Sequence, residues 1–482
     1  MNNVFKNLKF VIAAAVAINL SLASSCRDEP VPPPDPTTTG SDTLSGAITA
    51  DRTLRNNKTY YISGVTFVKN NATLTIEPGT IIRAIKGSKA TLVITRGSKI
   101  IADGTATAPI VFTSNQPAGA RSAGDWGGLV LCGKARVNSN VAGALNSKLL
   151  EGFDAAEAAQ FGGDIIGGGT EDADNSGVLR YVRIEYSGIS LSSAPNSELN
   201  GLSMIAVGSS TLIDYVQVSN SGDDSFEWWG GTVNAKHLVA FSSVDDDFDT
   251  DNGYSGKVQF GLGVRDPNFS DVSIANGASH AFESDNEDPI PTSGVGTTPI
   301  TTCTFSNITL LGPLNFTTTL PSNHKFARAI LSRRLTNMGI FNSIFSGYPV
   351  GLNIPDSVSV LQANAGNIPL ANTIFASFPS GRVLNNSNFN NTNNFRAAVY
   401  YTNPSFANDT TTTLAQLNFP NATTLPLINA IPASGSPLLS GAAFTNTRLT
   451  SGFTNVAYRG AFGAGDNWLG TWVEFNPQTR AY

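Results

Sequence analysis

The chain has 482 residues, a formal net charge of −6 and 14% charged residues, against about 25% in an average soluble domain. Its basic residues form no stripe, so the composition argues against a nucleic-acid-binding protein. Apart from Cys26, only Cys132 and Cys303 are present. Two cysteines make no disulfide framework, and we expect both to be buried free thiols.

The first 26 residues predict an export signal. Lys6 and Lys9 precede an apolar stretch, residues 10–23, that is too short to cross a bilayer as a helix. The small residues of "LASSC" resemble a lipoprotein signal-peptidase site, which predicts a signal peptide over residues 1–25 and acylation of Cys26. The alternative is an ordinary signal peptide cleaved near Ser24. Several acyl groups on Cys26 would anchor the chain to a membrane.

A linker is predicted for residues 26–45. "RDEP", directly after Cys26, resembles the surface-export signal of Bacteroidota-type lipoproteins, which implies a lipid-anchored protein on the outer face of the outer membrane. The prolines of "PVPPPDPTTTGSDT" favour an extended, semi-rigid spacer between the membrane and the folded part.

From residue 46 the chain consists of short strand-like segments that recur. "TLTIEPGTII" (73–82) matches "TLVITRGSKI" (91–100) at an offset of 18, Leu74 with Leu92, and "YVQVSNSGDDSF" (215–226) matches "HLVAFSSVDDDF" (237–248) at 22. "YVRIEYSG" (181–188) lies 34 residues before "YVQVSNSG", and "DVSIANGASHAF" (271–282) lies 34 residues after "HLVAFSSVDDDF", with Val272 and Ile274 in register. "NSIF" (342–345) and "NTIF" (372–375) repeat at an offset of 30. This pattern predicts an all-β solenoid with loop insertions, whose coils stack about 4.8 Å apart.

Several stretches carry a family resemblance. "TLTIEPGTIIRA", "GDWGGLVLCGKA", "NSGDDSFEWWGGTVNAKHLVAF" and "YRGAFGAGDNWL" are similar to a family of Bacteroidota surface lipoproteins with a right-handed parallel β-helix of the pectate-lyase-like superfamily. The resemblance implies a single β-helix domain over residues 46–482. It implies no particular activity, because this fold hosts lyases, hydrolases, adhesins and passive scaffolds.

Two segments depart from the strand pattern. "NSKLLEGFDAAEAAQF" (146–161) predicts one short helical insertion. The aromatic and glycine-rich segment beginning at residue 455 predicts a C-terminal cap over residues 455–482, because an open solenoid exposes unpaired strand edges.

The most unusual stretch is "SSVDDDFDTDNGY" (242–254), which has five aspartates in seven positions. The 22-residue offset places Asp223 beside Asp245 and Glu227 beside Asp249 in neighbouring coils. At about 4.8 Å, two carboxylates repel by about 0.9 kcal/mol in water and about 3.5 kcal/mol at an effective dielectric of 20. Lys236, Lys257 and Arg265 are the only nearby basic residues in the sequence, so a divalent cation, proton sharing or full solvation must relieve this repulsion.

Calcium is the cation we expect, because it takes six to eight oxygen ligands in irregular geometry. The alternative is an acidic face that is merely solvated. The predicted metal ligands are the acidic residues of three coils: Asp223, Asp224, Glu227, Asp245, Asp246, Asp247, Asp249, Asp251, Glu283 and Asp285.

An enzyme is the rival interpretation. Asp223, Asp224, Asp245 and Asp249 would then be catalytic or calcium-binding, with Arg265 or Lys257 as the base of a calcium-dependent polysaccharide lyase. An inverting glycoside hydrolase could instead use a pair of carboxyl groups from these stacked acidic residues. A third possibility is a non-catalytic adhesin or scaffold.

Trp228 and Trp229 follow Glu227 directly. Since successive side chains of a strand face opposite sides, one ring is expected to face outward as a stacking surface for a sugar. In the alternative, both rings pack under a neighbouring loop. The preferred hypothesis is therefore a cell-surface lipoprotein whose calcium-stabilised acidic face binds a glycan or a partner protein.

Overall fold

A computed structural model describes residues 40–482 except 142, 154–158, 192–196, 273–277, 292, 380–381 and 387–395. The predicted signal peptide, Cys26 and most of the predicted linker lie outside the described residues. In the described part of the chain, no helix has both the length and the apolar character needed to cross a membrane.

The described residues form short strands joined by turns and insertions. The strands are β1 (Ser41–Ile48), β2 (Arg52–Leu54), β3 (Thr59–Val68), β4 (Thr73–Ile76), β5 (Ile81–Ala84), β6 (Thr91–Ile94), β7 (Lys99–Asp103), β8 (Ile110–Ser114), β9 (Gly128–Cys132), β10 (Lys148–Leu149), β11 (Ile166–Gly167), β12 (Gly177–Glu185), β13 (Leu202–Ile205), β14 (Leu212–Ser219), β15 (Phe226–Trp229), β16 (Asn234–Phe241), β17 (Phe248–Asp251), β18 (Lys257–Val264), β19 (His280–Ser284), β20 (Thr304–Leu311), β21 (Arg328–Ser332), β22 (Gly339–Phe341), β23 (Ile344–Ser346), β24 (Val350–Ile354), β25 (Leu370–Ala371), β26 (Ile374–Ala376) and β27 (Leu384–Asn386).

Helices are few and short. The α-helices that the structure describes from end to end are α1 (Ser357–Asn364) and α2 (Ala397–Tyr400). The 3₁₀ turns are Gly162–Ile165, Pro313–Asn315, Pro404–Phe406, Ala415–Leu417, Pro437–Leu439, Thr447–Leu449 and Pro477–Thr479.

The strands build three parallel sheets around one core. Sheet I contains β2, β4, β7, the first halves of β12, β14, β16, β18 and β20, then β22 and β25. Sheet II contains β5, β8, the second halves of the same long strands, β23 and β26. Sheet III contains β6, β9, β13, β15, β17, β19, β21, β24 and β27. This winding is a right-handed parallel β-helix, as the sequence predicts.

The bend between sheets I and II is made by non-glycine residues in the left-handed backbone region. Tyr215, His237 and Phe260 have φ values of 54°, 50° and 64°. Their rings stack along the helix axis, with centroids 4.2 Å apart between Tyr215 and His237 and 5.1 Å apart between His237 and Phe260. Contact between these rings offsets the backbone strain of the bend.

Most of the predicted register is confirmed. Val216 pairs with Leu238 and Phe226 with Phe248, both at the offset of 22. The offsets of 34 and 30 hold for β12 with β14 and for β23 with β26. Phe248 pairs with Phe282, which extends the aromatic column of the core, with ring centroids 5.1 Å apart.

Two register predictions are wrong. Leu74 pairs with Ile100 and not with Leu92, because β4 belongs to sheet I and β6 to sheet III. Val272 is exposed in a loop, and Leu238 instead pairs with Gly261 of β18. Ile274 lies outside the described residues. Similar apolar alternation in different sheets explains the false match at an offset of 18.

The prediction of one helix over 146–161 is also wrong at its start. Lys148–Leu149 pairs antiparallel with Ile166–Gly167, and helical residues begin to be described only at 159–161. Leu150 and Ile165 of this insertion pack on the outer face of sheet III together with Trp229. We call residues 146–171 the insertion, and these apolar contacts hold its described part to the sheet.

The C-terminal segment does not cap the end of the solenoid as predicted. It runs along the side of the β-helix, where amides and a guanidinium on successive coils bind it: Asn342 to Ala443, Asn307 to Tyr458, Gln217 to Glu474, and Arg183 to Tyr482. Trp468 and Trp472 pack edge-on against the column of Tyr215 and its neighbours. We call residues 443–482 the strap, because they tie several coils together.

Candidate acidic site

The acidic residues lie on the outer side of sheet III and in the turns that enter it. In β17, Phe248 and Thr250 are buried in the interior, while Asp249 and Asp251 lie on the outer side and are half-buried. Asp249 pairs with Glu227 on one side and with Glu283 on the other. The predicted stacking of acids on successive coils is thus present.

The turns place a second row of polar side chains beside these strands, and each side chain accepts a hydrogen bond from a backbone N–H of the next coil. The amide oxygen of Asn200 accepts a hydrogen bond from the backbone N–H of Asp224 at 3.2 Å. Asp224 Oδ1 accepts from the backbone N–H of Asp246 at 2.7 Å, and Asp246 Oδ1 accepts from that of His280 at 2.5 Å. This row satisfies backbone donors that the turns would otherwise leave unpaired.

Three overlapping groups of side chains have oxygen or nitrogen atoms within 4.8 Å of one another. They are Asp223–Asp224–Asp245, Asp245–Asp246–His280 and Asp224–Glu227–Asp249. We call their seven residues the acidic site. The groups share Asp224 and Asp245, so the site is one continuous cluster along the helix axis.

Burial raises the pKa of every carboxyl group in the acidic site, and neighbouring carboxylates raise it further. The pKa values of Asp245 and Asp246 rise to about 7. Those of Asp223, Asp224, Glu227 and Asp249 are raised well above their usual range. Without a cation, the site therefore holds protons at neutral pH.

His280 is neutral in this site, because burial lowers its pKa to about 4. Its Nε2 lies 3.0 Å from Nη1 of Arg328, which can only donate, so Nε2 accepts. Nδ1 then carries the proton and donates to Asp246 Oδ1 at 3.2 Å. His280 is a fixed hydrogen-bond donor at the edge of the cluster.

Basic residues that are remote in sequence neutralise one end of the ladder. Arg333 pairs with Glu283 and, at 2.9 Å, with Asp285, and Arg334 pairs with Asp285 at 2.7 Å. The prediction that Glu283 and Asp285 are metal ligands therefore conflicts with their occupied oxygens. No pattern in the sequence pointed to these arginines, which reach the site from the coil after the acidic ones.

Arg265 and Asp247 form a buried pair beneath the site. Arg265 Nε lies 3.0 Å from Asp247 Oδ1, and both side chains are 0% exposed. The remaining nitrogens of Arg265 donate to the carbonyl oxygens of Ser243, Asp245 and His280. The predictions of Arg265 as a catalytic base and of Asp247 as a metal ligand conflict with this arrangement, because both side chains are fully buried and pair with each other. Lys257 donates to Ser451 of the strap, away from the acids.

Neither tryptophan forms the predicted outward platform. Trp228 is 0% exposed and stacks in the core against Tyr254, with ring centroids 5.3 Å apart. Trp229 does lie on the outer side of sheet III, but the insertion covers it and leaves it 2% exposed. Lys148 Nζ lies 5.4 Å from the centre of the Trp229 ring. The alternative, in which both rings pack under a neighbouring loop, holds for Trp229 and not for Trp228, which packs in the core.

Comparison with known proteins identifies the fold family. A family model described as a pectate-lyase-like beta helix domain matches residues 46–418. The chain belongs to this family. No curated protein and no solved structure matches the chain. A pectate-lyase-like domain points to a carbohydrate-related function.

The acidic site of this pectate-lyase-like domain has the donor set that a hard cation requires. Asp224, Glu227 and Asp249 supply oxygens only, and none of them has an ion-pair partner among the described residues. Asp249 Oδ1 is buried without a hydrogen-bond partner. Ser203, which pairs with Glu227 across the sheet, is 0% exposed and its Oγ is also unpartnered. These orphaned oxygens fit calcium, which takes oxygen ligands in irregular geometry.

The insertion adds charged groups that sequence inspection missed. Besides burial and Asp245, Glu151 of the insertion and Glu198 of the loop between β12 and β13 raise the pKa of Asp223, and Lys148 of the insertion lowers that of Asp251 by its positive charge. Burial and neighbouring charges leave Asp251 with a pKa of about 6. No spacing in the sequence links these residues to the acidic coils, because the insertion folds back over sheet III only in three dimensions.

Proposed function

We propose that the protein is an extracellular carbohydrate-binding β-helix protein whose acidic site holds calcium. The observation that carries the proposal is the group Asp224–Glu227–Asp249, three carboxylates within 4.8 Å without a cationic partner in the described part of the chain. Removing several charges from water without compensation costs several kcal/mol per ion, on the order of the whole stability of a domain. A bound divalent cation offsets that cost.

Calcium would also link the site to a glycan. A protein site of three or four oxygen ligands leaves coordination positions open, since calcium takes about six to eight. Sugar hydroxyl or carboxylate oxygens are ligands of the same chemical type. Asp223 and Asp245 are half-buried and border solvent, so a glycan can approach the ion from that side.

The test is glycan binding with and without calcium. We expect calcium to bind in isothermal titration, and a polysaccharide panel to contain a ligand that binds only with calcium and not with EDTA. The double variant Glu227→Gln, Asp249→Asn should lose both. Asp466→Asn, an exposed acid of the strap, is the matched control. Calcium-independent binding, or a variant that binds as well as the wild type, would refute the proposal.

A catalytic role is the second candidate, and one observation favours it. Asp245 and Asp246 have pKa values of about 7 and so include a protonated carboxyl group at neutral pH, as a general acid requires. Within each group the carboxylates lie closer than the roughly 6.5–9.5 Å of an inverting pair. A lyase would release an unsaturated product that absorbs in the ultraviolet, and the same polysaccharide panel detects it. If no calcium-dependent ligand yields this product, the catalytic role is rejected and the binding role remains.

We further propose that Cys26 is acylated and anchors the protein at the outer face of the outer membrane. The proposal rests on "LASSC" and the acidic "RDEP" that follows it. Metabolic labelling with a fatty acid should mark the wild type and not Cys26→Ser. Externally added protease should degrade the protein in intact cells. Equal labelling of both chains would contradict the anchor.

A further inference from the structure

A second cleft lies apart from the acidic site, on the other side of the insertion. It has a volume of about 610 Å³. One wall is the corner of the coils that follows β3, β6 and β9, and the other is the glycine-rich segment 162–171 of the insertion. The insertion thus separates two sites on the same face of the β-helix.

Three basic side chains line this cleft, but only one is tightly paired. Lys69 forms an ion pair with Asp164. Lys134 Nζ lies 4.0 Å from Glu171 Oε2, and the Glu171 side chain is 65% exposed. Arg96 donates to the carbonyl oxygen of Gly168 at 3.3 Å and has no carboxylate partner in the described part of the chain. The cleft therefore presents a guanidinium and a loosely held ammonium group.

A glycine next to Arg96 leaves room for two of the side chains that line the cleft. Gly97 has φ +87°, and a β-carbon there would lie 2.6 Å from Asn71 Oδ1 and 3.4 Å from Lys134 Nζ. Because no side chain is present, Asn71 and Lys134 both reach the space above this position. The amides of Asn70 and Asn71, both exposed, add neutral hydrogen-bonding groups beside the two cations.

We propose that this cleft binds an acidic sugar unit, through a carboxylate or sulfate group on Arg96 and Lys134 and through hydroxyl groups on Asn70 and Asn71. A guanidinium binds such planar or tetrahedral anions through two parallel hydrogen bonds. The net charge of −6 and the scattered basic residues disfavour a nucleic acid as ligand. The inference shares the carbohydrate class with the proposed function but does not depend on calcium.

The experiment uses calcium-free protein in EDTA at low ionic strength, titrated with a polyuronate, with chondroitin sulfate and with neutral dextran. We expect at least one anionic polymer to bind and dextran not to bind. The polymer that binds identifies carboxylate or sulfate as the recognised group. Arg96→Ala with Lys134→Ala should weaken binding by roughly tenfold or more, since two charge-assisted hydrogen-bonding groups are lost. Arg382→Ala, a distant exposed arginine, should bind like the wild type.

Arg96→Lys keeps the charge and removes the paired geometry, so it should bind more weakly than the wild type even if the double variant folds poorly. Unchanged affinity in Arg96→Lys and in the double variant would overturn the inference. So would the absence of binding to both anionic polymers, or equal binding of single-stranded DNA. Calcium-dependent binding at the acidic site is measured separately, so either proposal can fail alone.

Discussion

In the row of turn residues, accepting a backbone hydrogen bond and carrying a negative charge are separate properties. Asn200, Asp224 and Asp246 each accept the backbone N–H of the next coil. Since Asn200 does this with a neutral amide, the charge of the two aspartates is not needed for the ladder. Burial penalises that charge, so it is best explained by a ligand that requires it.

Asp249 and Asp285, which lie on neighbouring coils, should respond in opposite ways to removal of their charge. Asp249 Oδ1 is buried without a partner, so in EDTA, at a pH high enough to ionise this carboxyl group, we expect Asp249→Asn to raise the free energy of unfolding by about 1–2 kcal/mol. Asp285 binds Arg333 and Arg334, so Asp285→Asn should lower it by about 3 kcal/mol. Denaturant unfolding measures both variants. Destabilisation by both would mean that Asp249 has a favourable partner.

The sequence predicts which acidic residues lie beside one another better than it predicts what surrounds them. The offset of 22 was enough to place Glu227 beside Asp249, because period-2 alternation and one long-range register determine that contact. It could not tell that the insertion covers Trp229 or that Arg333 neutralises Glu283. Those contacts depend on loops whose paths have no sequence periodicity.

At the level of elements, the strap differs most from its sequence-based prediction. Its aromatic residues and glycines predicted an end cap, because a cap over the end and a strap along the side require the same composition. In the structure, the strap instead packs against a column of rings at the bend between sheets I and II. The ring centroid of Trp472 lies 6.0 Å from that of Tyr215 and 5.9 Å from that of Tyr181. The strap covers rings that would otherwise form an exposed aromatic stripe along the solenoid.

The strap should therefore contribute to the stability of the whole β-helix. Trp472 is 0% exposed, and we expect Trp472→Ala to lower the free energy of unfolding by about 3–5 kcal/mol. Limited proteolysis should then cut the strap first. The control Asn455→Ala, at an exposed position of the strap, should change stability by less than about 0.5 kcal/mol. A Trp472→Ala protein as stable as the wild type would mean that the strap is merely laid on the surface.

At the scale of the whole molecule, sheet III carries both candidate sites. Parallel stacking keeps equivalent residues of successive coils close to one another, so a short sequence repeat becomes a continuous row of functional groups. The fold class and the existence of an acidic row could be predicted for this reason. The division of the surface into an acidic and a basic site could not, because it depends on the insertion that lies between them.

The same stacking makes the stability of the whole β-helix depend on pH. Asp245 and Asp246 have pKa values of about 7 in the folded protein, while carboxyl groups of an unfolded chain titrate near 4. Between these values the folded protein binds more protons than the unfolded chain, so the free energy of unfolding falls as pH rises. His280, with its lowered pKa of about 4, opposes this trend only below about pH 6.5.

In EDTA, we therefore expect the melting temperature to fall between pH 6.5 and pH 8. Calcium should reverse the loss, because it binds the deprotonated carboxylates, and saturation at a hundred times its dissociation constant adds about 2.7 kcal/mol. The calcium-induced shift in melting temperature should accordingly be larger at pH 8 than at pH 6.5, where protons compete with the ion. Magnesium at the same concentration serves as a control for ionic strength and should give a smaller shift, since it requires near-octahedral geometry. A melting temperature in EDTA that does not fall over this pH range would mean that the acidic row is solvated rather than buried, since solvated carboxyl groups have already lost their protons near pH 4.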